Sequence, residues 1–182
     1  MRIAAIDPSQ RHFGMVKLEW HGLLGFSILE MKLVNTEKSK DKKVRVNSDD
    51  LSCAREIHDA CHEFIADCEF VFSEVPSGAQ SASAAKSFGI CIGILASVRI
   101  PLIEVQPLET KKASIGKKTA SKKDIIAWAV THYPEAPWIR ALAKPYGFTL
   151  ANEHLADAVA IAHAGVKTEQ FRAITALMKR AA

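Results

Sequence analysis

The chain has 182 residues, of which 48% are hydrophobic, and a formal net charge of +4 at pH 7. This length and composition predict a single globular domain over residues 1–182. No apolar run reaches the roughly 20 residues that a transmembrane helix needs, and the N-terminal residues do not form a signal peptide. We therefore expect a cytoplasmic protein with no membrane association. The four cysteines include no Cys-x-x-Cys pair, which argues against a zinc ribbon and favours free thiols.

The first part of the chain predicts a β-meander followed by a helix. Strands are predicted over residues 2–6, 14–20 and 23–34. Residues 36–47 are polar, rich in lysine and without periodicity, and they predict a loop. Helical spacing of apolar side chains predicts a helix over residues 48–68, with Ser48 as its N-cap and Leu51 on its buried face.

Strands and helices alternate in the rest of the chain. Further strands are predicted over residues 69–75 and 100–105. Further helices are predicted over residues 79–98, 108–114, 121–131, 151–166 and 169–182. Residues 133–150 are interrupted by prolines and predict a connecting segment. This order predicts an α/β fold with a mixed five-stranded sheet, an antiparallel meander followed by parallel strands, and helices on both faces.

Acidic residues occur where two predicted strands end and within one predicted helix. Asp7 follows the first strand, and Glu74 lies near the end of the fourth. If these strands are adjacent and parallel, both side chains reach the carboxyl-end crevice where ligands of open sheets bind. His154 and Asp157 are three residues apart and share one face of a helix. Grouped oxygen ligands favour Mg²⁺ or Mn²⁺, and two such ions can activate water for phosphodiester hydrolysis.

Asp157 is the clearest physical signal among these residues. The helix predicted over residues 151–166 is apolar on nearly every side, which indicates burial. A carboxylate inside such a helix is unfavourable unless it is paired or binds a cation. Each acidic residue taken singly also has an ordinary interpretation as a turn residue, a cap or a partner of a lysine, so the metal site is inferred from the four residues together.

A cluster of lysines precedes and enters the helix predicted over residues 121–131. Its members are Lys111, Lys112, Lys117, Lys118, Lys122 and Lys123. Phosphate binding needs such a concentration of positive charge, although a solvated charged face has a similar composition.

Four segments resemble, in the same order, motifs of RuvC-type Holliday junction resolvases, which are members of the RNase H-like superfamily. These segments are residues 3–9 with Gly14, residues 72–74, residues 111–116 with Ala120 and Lys122, and residues 154–162. The resemblance implies an RNase H-like fold and a homodimeric endonuclease that resolves four-way junctions and other branched DNA. It also implies cleavage that leaves 5′-phosphate and 3′-hydroxyl ends.

The resemblance assigns a role to each residue of the acidic set. Asp7 would bridge two Mg²⁺ ions, for which Mn²⁺ could substitute. Glu74 would bind one ion, and His154 and Asp157 would bind the other. These four residues would be both the metal ligands and the catalytic residues.

The resemblance also assigns the lysines to DNA binding. Lys111 and Lys122 match positions that hold the DNA backbone. The lysines that would add to this surface are Lys112, Lys117, Lys118 and Lys123.

Three features depart from the family pattern. Lys118 stands where a second glycine is usual, and residues 75–80 contain no aromatic residue where bacterial members carry a wedge. The lysine-rich residues 37–45 have no recognisable counterpart. These departures resemble divergent viral resolvases, and they suggest that forks and flaps are cut as well as four-way junctions.

Two other functions are compatible with parts of the sequence. A non-catalytic protein of the same fold could bind branched DNA. Asp7, Pro8 and Ser9, followed by Gly14, also resemble the first phosphate loop of sugar kinases and actin-like ATPases, but no second phosphate loop is recognisable. ATP hydrolysis without DNA cleavage would identify a phosphotransferase of that kind.

Overall fold

The computed structural model describes residues 1–116, 121–141 and 144–181. Its main feature is a five-stranded sheet with the strand order β3-β2-β1-β4-β5. The strands are β1 (Arg2–Asp7), β2 (His12–Trp20), β3 (Phe26–Asn35), β4 (Phe70–Ser73) and β5 (Leu102–Glu104). β1, β2 and β3 form an antiparallel meander, whereas β4 is parallel to β1 and β5 is parallel to β4. The predicted mixed sheet is confirmed.

α-Helices form the connections from β3 to β4 and from β4 to β5, and four more helices follow β5. They are α1 (Val46–Ile65), α2 (Ala82–Ser97), α3 (Pro107–Ser114), α4 (Lys122–His132), α5 (Glu153–Gly165) and α6 (Glu169–Ala181). Within the described ranges, none of these helices is both long enough and apolar enough to cross a membrane.

The sheet is buried between two layers of helices, as predicted. On one face, Ile6 of β1 packs in a core that includes Ile57 of α1. On the other face, Phe72 of β4 packs with Ile161 of α5 and Phe171 of α6. Alternate residues of each central strand therefore enter opposite cores, because successive strand side chains point to opposite faces. α5 lies directly over the sheet, and α4 packs on α5 through Ile126.

Several predicted element boundaries in the first part of the chain are wrong. β2 begins at His12, two residues before its predicted start, and α1 ends at Ile65, three residues before its predicted end. β3 begins at Phe26, because a 3-10 turn at Gly22–Leu24 and the positive φ of Gly25 complete the hairpin first. α1 begins two residues before Ser48, with Arg45 at its N-cap position. Leu51 was predicted to be buried, but it is 51% exposed. The buried face of α1 instead contains Cys53 and Ile57, and Leu51 lies just outside it.

The predicted connecting segment also differs from the structure. It contains a small antiparallel pair, β6 (Arg140–Ala141) and β7 (Lys144–Phe148), which is separate from the main sheet. The side-chain amide of Asn152 links this segment to the start of α5, since it accepts a bond of 2.8 Å from the backbone N–H of Ile139 and donates one of 2.7 Å to its carbonyl oxygen.

Candidate active site

Two of the predicted site residues meet at the carboxyl edge of the sheet. Asp7 is the last residue of β1, and Glu74 follows the last residue of β4. The two strands are parallel neighbours in which Ile6 pairs with Ser73. A pocket of about 240 Å³ lies between Asp7 and Glu74. The expectation that the two carboxylates share one crevice is therefore met.

α5 brings His154 to the same place. Gly14 of β2 pairs with Asp7 of β1, and α5 crosses directly over it. A Cβ atom at Gly14 would lie 2.4 Å from the carbonyl oxygen of His154, so only glycine permits this approach. The close packing sets the first turn of α5 against the strand that pairs with Asp7.

His154 and Asp7 are in direct contact. The Nδ1 atom of His154 lies 2.7 Å from Oδ2 of Asp7 and donates a hydrogen bond to it. Burial alone would lower the pKa of His154, but the hydrogen bond and the charge of Asp7 raise this pKa above its usual value. The imidazole is therefore biased towards its charged form while it contacts Asp7.

A second histidine packs against the imidazole ring of His154. His12, the first residue of β2, stacks on His154 with ring centroids 5.3 Å apart and planes inclined by 21°. Nδ1 of His12 in turn lies 2.8 Å from Oδ1 of Asn35 at the end of β3. Sequence reasoning did not identify His12, because its partners are 23 and 142 positions away and no local pattern marks it.

Glu74 is held by a residue of α3. The Oγ1 atom of Thr110 donates a hydrogen bond of 2.6 Å to Oε1 of Glu74. Burial raises the pKa of Glu74, and the charge of Asp7 raises it further, while the bond from Thr110 acts in the opposite direction. Thr110 was also missed, since a threonine within a short lysine-rich helix gives no sequence signal.

Asp157 is the most strongly perturbed acid of the site. Burial, followed by the charges of Asp7 and Glu153, raises its pKa from 3.8 to about 7. The neighbouring Glu153 forms an ion pair with Lys122 at the start of α4. Asp157 therefore lies in an apolar helix beside other acids, as the sequence indicates, and its charge needs a cation.

The four residues fit divalent cations by their chemistry. Asp7, Glu74 and Asp157 offer oxygen ligands, His154 offers a nitrogen ligand, and the acids raise one another's pKa. Within the described part of the chain, no three His, Cys, Asp or Glu side chains are arranged so that they could hold one ion together.

The predicted DNA-binding lysines fall into separate groups. Lys111 and Lys112 lie in the last turn of α3, and Lys122 and Lys123 begin α4. Lys117 and Lys118 lie outside the described residues.

These lysines do not all face the same part of the molecule. The charge of Lys111 acts on Glu74, and that of Lys122 acts on Asp7 and Asp157. Lys112 instead lines a depression with Lys167, beyond the far end of α5.

Comparison of the sequence with known protein families and with curated proteins gives no match. Comparison of the structure with solved structures gives several. RuvC of Thermus thermophilus in complex with a Holliday junction substrate superposes with a TM-score of 0.66 at 21% identity, covering 97% of this chain and 96% of that chain. The yeast mitochondrial Holliday junction resolvase Ydc2 gives a TM-score of 0.64 at 12% identity, covering 99% of this chain and 84% of that chain.

A viral resolvase has the same architecture. Fowlpox virus resolvase in complex with Holliday junction DNA gives a TM-score of 0.54 at 11% identity, covering 96% of this chain and 99% of that chain. At these identities the likeness concerns the fold, and it extends over almost the whole chain. The chain therefore has the RuvC-type, RNase H-like fold of the Holliday junction resolvases, in agreement with the resemblance of its sequence motifs.

Proposed function

We propose that this protein is a divalent-metal-dependent endonuclease that cuts four-way junctions and other branched DNA. The observation that carries the proposal is the contact of His154 with Asp7, which lines a pocket with Glu74 and acts by its charge on Asp157, at the carboxyl edge of a fold shared with junction resolvases. The Asp7–His154 contact joins residues 147 positions apart, so it reflects the tertiary fold and no local sequence preference.

The four residues would bind two Mg²⁺ ions, or Mn²⁺ in their place. When bound, such ions lower the pKa of an attacking water and offset charge on the departing 3′ oxygen. Asp7 lies near both Glu74 and His154 and would be shared between the two ion positions. Thr110 holds one oxygen of Glu74 and would keep this ligand oriented, while Lys122 balances the neighbouring charge of Glu153.

DNA would be held mainly through its backbone. Lys111 and Lys122, with support from Lys112 and Lys123, are suited to phosphate contacts, and Lys117 and Lys118 are proposed on the sequence alone. Backbone contacts position DNA without reading its sequence, so selection of branched substrates would depend on DNA shape and deformability.

We further propose that the active form is a homodimer, because resolution requires opposed cuts in two strands. Sedimentation should then give a mass of about twice the 19.9 kDa of one chain. The four buried free thiols are compatible with a reducing compartment such as the cytoplasm.

The test compares a synthetic four-way junction with its linear duplex, in magnesium and in chelator. We expect paired nicks in opposed arms of the junction, only with metal. Asp7→Asn and Asp157→Asn should each slow cleavage by more than about 100-fold, because residues that only support a metal ligand already cost about 10–100-fold.

Junction binding in chelator should remain in both variants, since it depends on lysines. Asp59→Asn, an exposed acid of α1, is the matched control and should cut normally. Normal cleavage by Asp7→Asn or Asp157→Asn would refute the site. Tight binding without cleavage by the wild type would indicate a non-catalytic protein that binds branched DNA. Equal cutting of the four-way junction and the linear duplex would indicate a general nuclease.

A further inference from the structure

We propose that residues 37–45, here called the basic loop, form a second DNA-backbone contact that holds a duplex arm on the β3 side of the candidate active site. The inference rests on the proposed function and adds a substrate-binding surface to it. The motif resemblance does not include this segment.

The basic loop has the composition of a phosphate-binding surface. Five of its nine residues are basic, namely Lys38, Lys40, Lys42, Lys43 and Arg45. With the two acids Glu37 and Asp41, the loop has a net charge of +3, whereas the whole chain has only +4. All nine residues are exposed, so the positive charge faces solvent.

The basic side chains of the loop have no acidic partners among the described residues. Many other lysines of the chain do have them: Lys17 pairs with Asp67, Lys32 with Glu63 and Lys86 with Asp50. Within the loop, the Asp41 carboxylate instead accepts a backbone bond of 2.9 Å from the N–H of Lys43. The basic groups are therefore available for phosphates without breaking an existing ion pair.

The loop begins against the turn that follows Asp7. Thr36, just before the loop, donates a buried hydrogen bond of 2.6 Å to the carbonyl oxygen of Gln10, and its own N–H bonds the carbonyl oxygen of Arg11. Within the loop, the N–H of Ser39 donates to Asp49 of α1. These contacts hold the loop beside the candidate site.

The direction of the strands places the loop on one flank of that site. β3 runs parallel to β1, because each is antiparallel to β2 between them. The end of β3, which leads into the loop, is therefore at the same edge as Asp7 and Glu74. A depression there is lined by Glu37 and Thr36 on one side and by Glu153 and His154 on the other.

Lys111 lies on the opposite flank, whereas Lys122 pairs with Glu153 beside the depression on the β3 side. α3, which carries Lys111, follows β5 at the far side of the sheet from β3. Four strand spacings separate β3 from β5, or about 19 Å. One phosphate cannot bridge this distance, so the two surfaces would hold different parts of the DNA with the acids between them.

The test measures junction binding in chelator as a function of salt, which separates binding from cleavage. The loop variant is Lys40→Gln, Lys42→Gln and Lys43→Gln. Each lost phosphate contact should lower the slope of log K against log salt by about 0.9, so we expect a decrease of about 1–3 and roughly tenfold weaker binding at low salt. The variant should fold normally, because its side chains are exposed and unpaired, and thermal unfolding checks this.

The control variant removes two exposed charges from elsewhere on the molecule: Arg99→Gln and Arg172→Gln. Arg99 precedes β5, and Arg172 lines a depression with Trp20 and Gly22 at the turn after β2, so both are away from the carboxyl edge. The control should keep the wild-type slope. If the loop variant has the same slope as the control, the loop serves another partner, such as an acidic protein, and the inference is overturned while the proposed function stands. If the wild type itself binds no junction, the proposed function fails and the inference fails with it.

Discussion

At the scale of one residue, Asp157 shows how a carboxylate within an apolar helix opposes stability. Its side chain lies in a helix whose neighbouring residues, Ala156 and Ala158, are fully buried. Its pKa of about 7 means that the folded chain keeps a proton at pH values where the unfolded chain has released it. Between about pH 4 and pH 7, the free energy of unfolding should therefore fall as the pH rises, because ionisation is easier in the unfolded state.

Asp157→Asn should remove this penalty. We expect the variant to be more stable than the wild type in chelator at pH 8, by about 2 kcal/mol, and the difference to shrink towards pH 4. Urea unfolding at both pH values measures it. Glu135→Gln, which removes an exposed acid, is the control and should change neither stability nor its pH dependence. Equal stabilities of Asp157→Asn and the wild type at pH 8 would show that the charge of Asp157 does not destabilise the fold.

The candidate site was predictable from the sequence only in part. Asp7 and Glu74 could be proposed because strand ends in a parallel pair meet at one edge, and Asp157 because a carboxylate in an apolar helix stands out. His12 and Thr110 could not be proposed, since each acts through a residue that only the tertiary fold brings near. The metal ligation of the four residues and the DNA contacts of the lysines remain predictions.

At the scale of elements, the position of α5 depends on two glycines, Gly14 and Gly165. Gly14 allows the first turn of α5 to touch β2, which places His154 beside Asp7. At the other end of the helix, a Cβ atom at Gly165 would lie 2.3 Å from the ring of Phe72. Both ends of α5 therefore approach the sheet more closely than any larger residue would permit.

Gly14→Ala should displace the start of α5. The added methyl group meets backbone atoms, which cannot rotate away, so we expect a loss of about 1–3 kcal/mol in unfolding free energy, as for other overpacked cores. Junction cleavage should fall as well, because His154 moves with the helix. Gly89→Ala is the matched control, since a Cβ atom there meets nothing within 4 Å and alanine favours a helix. Wild-type stability and cleavage in Gly14→Ala would show that the close approach is not required.

Elements that are marked by residues close to one another in the sequence were predicted well. Elements without such a mark were not. α4 begins after Ser121, which forms a capping box with Asp124, and this start was predicted well because the two residues are close in sequence. β6 and β7 were missed, since these short strands lie in a segment whose prolines predicted irregular structure. α1 was predicted with a wrong start because Ser48 was given the capping role, whereas the helix already begins at Val46.

At the scale of the whole molecule, folding removes every thiol from solvent. Cys53, Cys61, Cys68 and Cys91 are buried and form no disulfide. Burial raises the pKa of Cys61 and of Cys91 to about 12. Both the reactive thiolate and access to it are therefore suppressed in the folded state.

The thiols should react only when the molecule opens. Labelling with a chromogenic disulfide reagent should be about 1000-fold slower in the native protein than in urea, given an opening free energy of a few kcal/mol. In urea all four thiols should react promptly. Fast labelling of one thiol in the native protein would contradict the burial described for it.

The parallel pairing of β1 with β4 also has a consequence for the order of assembly. The meander joins strands that are neighbours in the chain, whereas Ile3 of β1 must find Phe70 of β4, and Asp7 must find His154. Contacts between distant positions form late, since the closure of a long loop is entropically unfavourable. A chain still emerging from the ribosome would thus have its hairpins but no complete acidic cluster. The proposed cleavage of DNA would therefore require the finished fold, and a partly made chain would lack it.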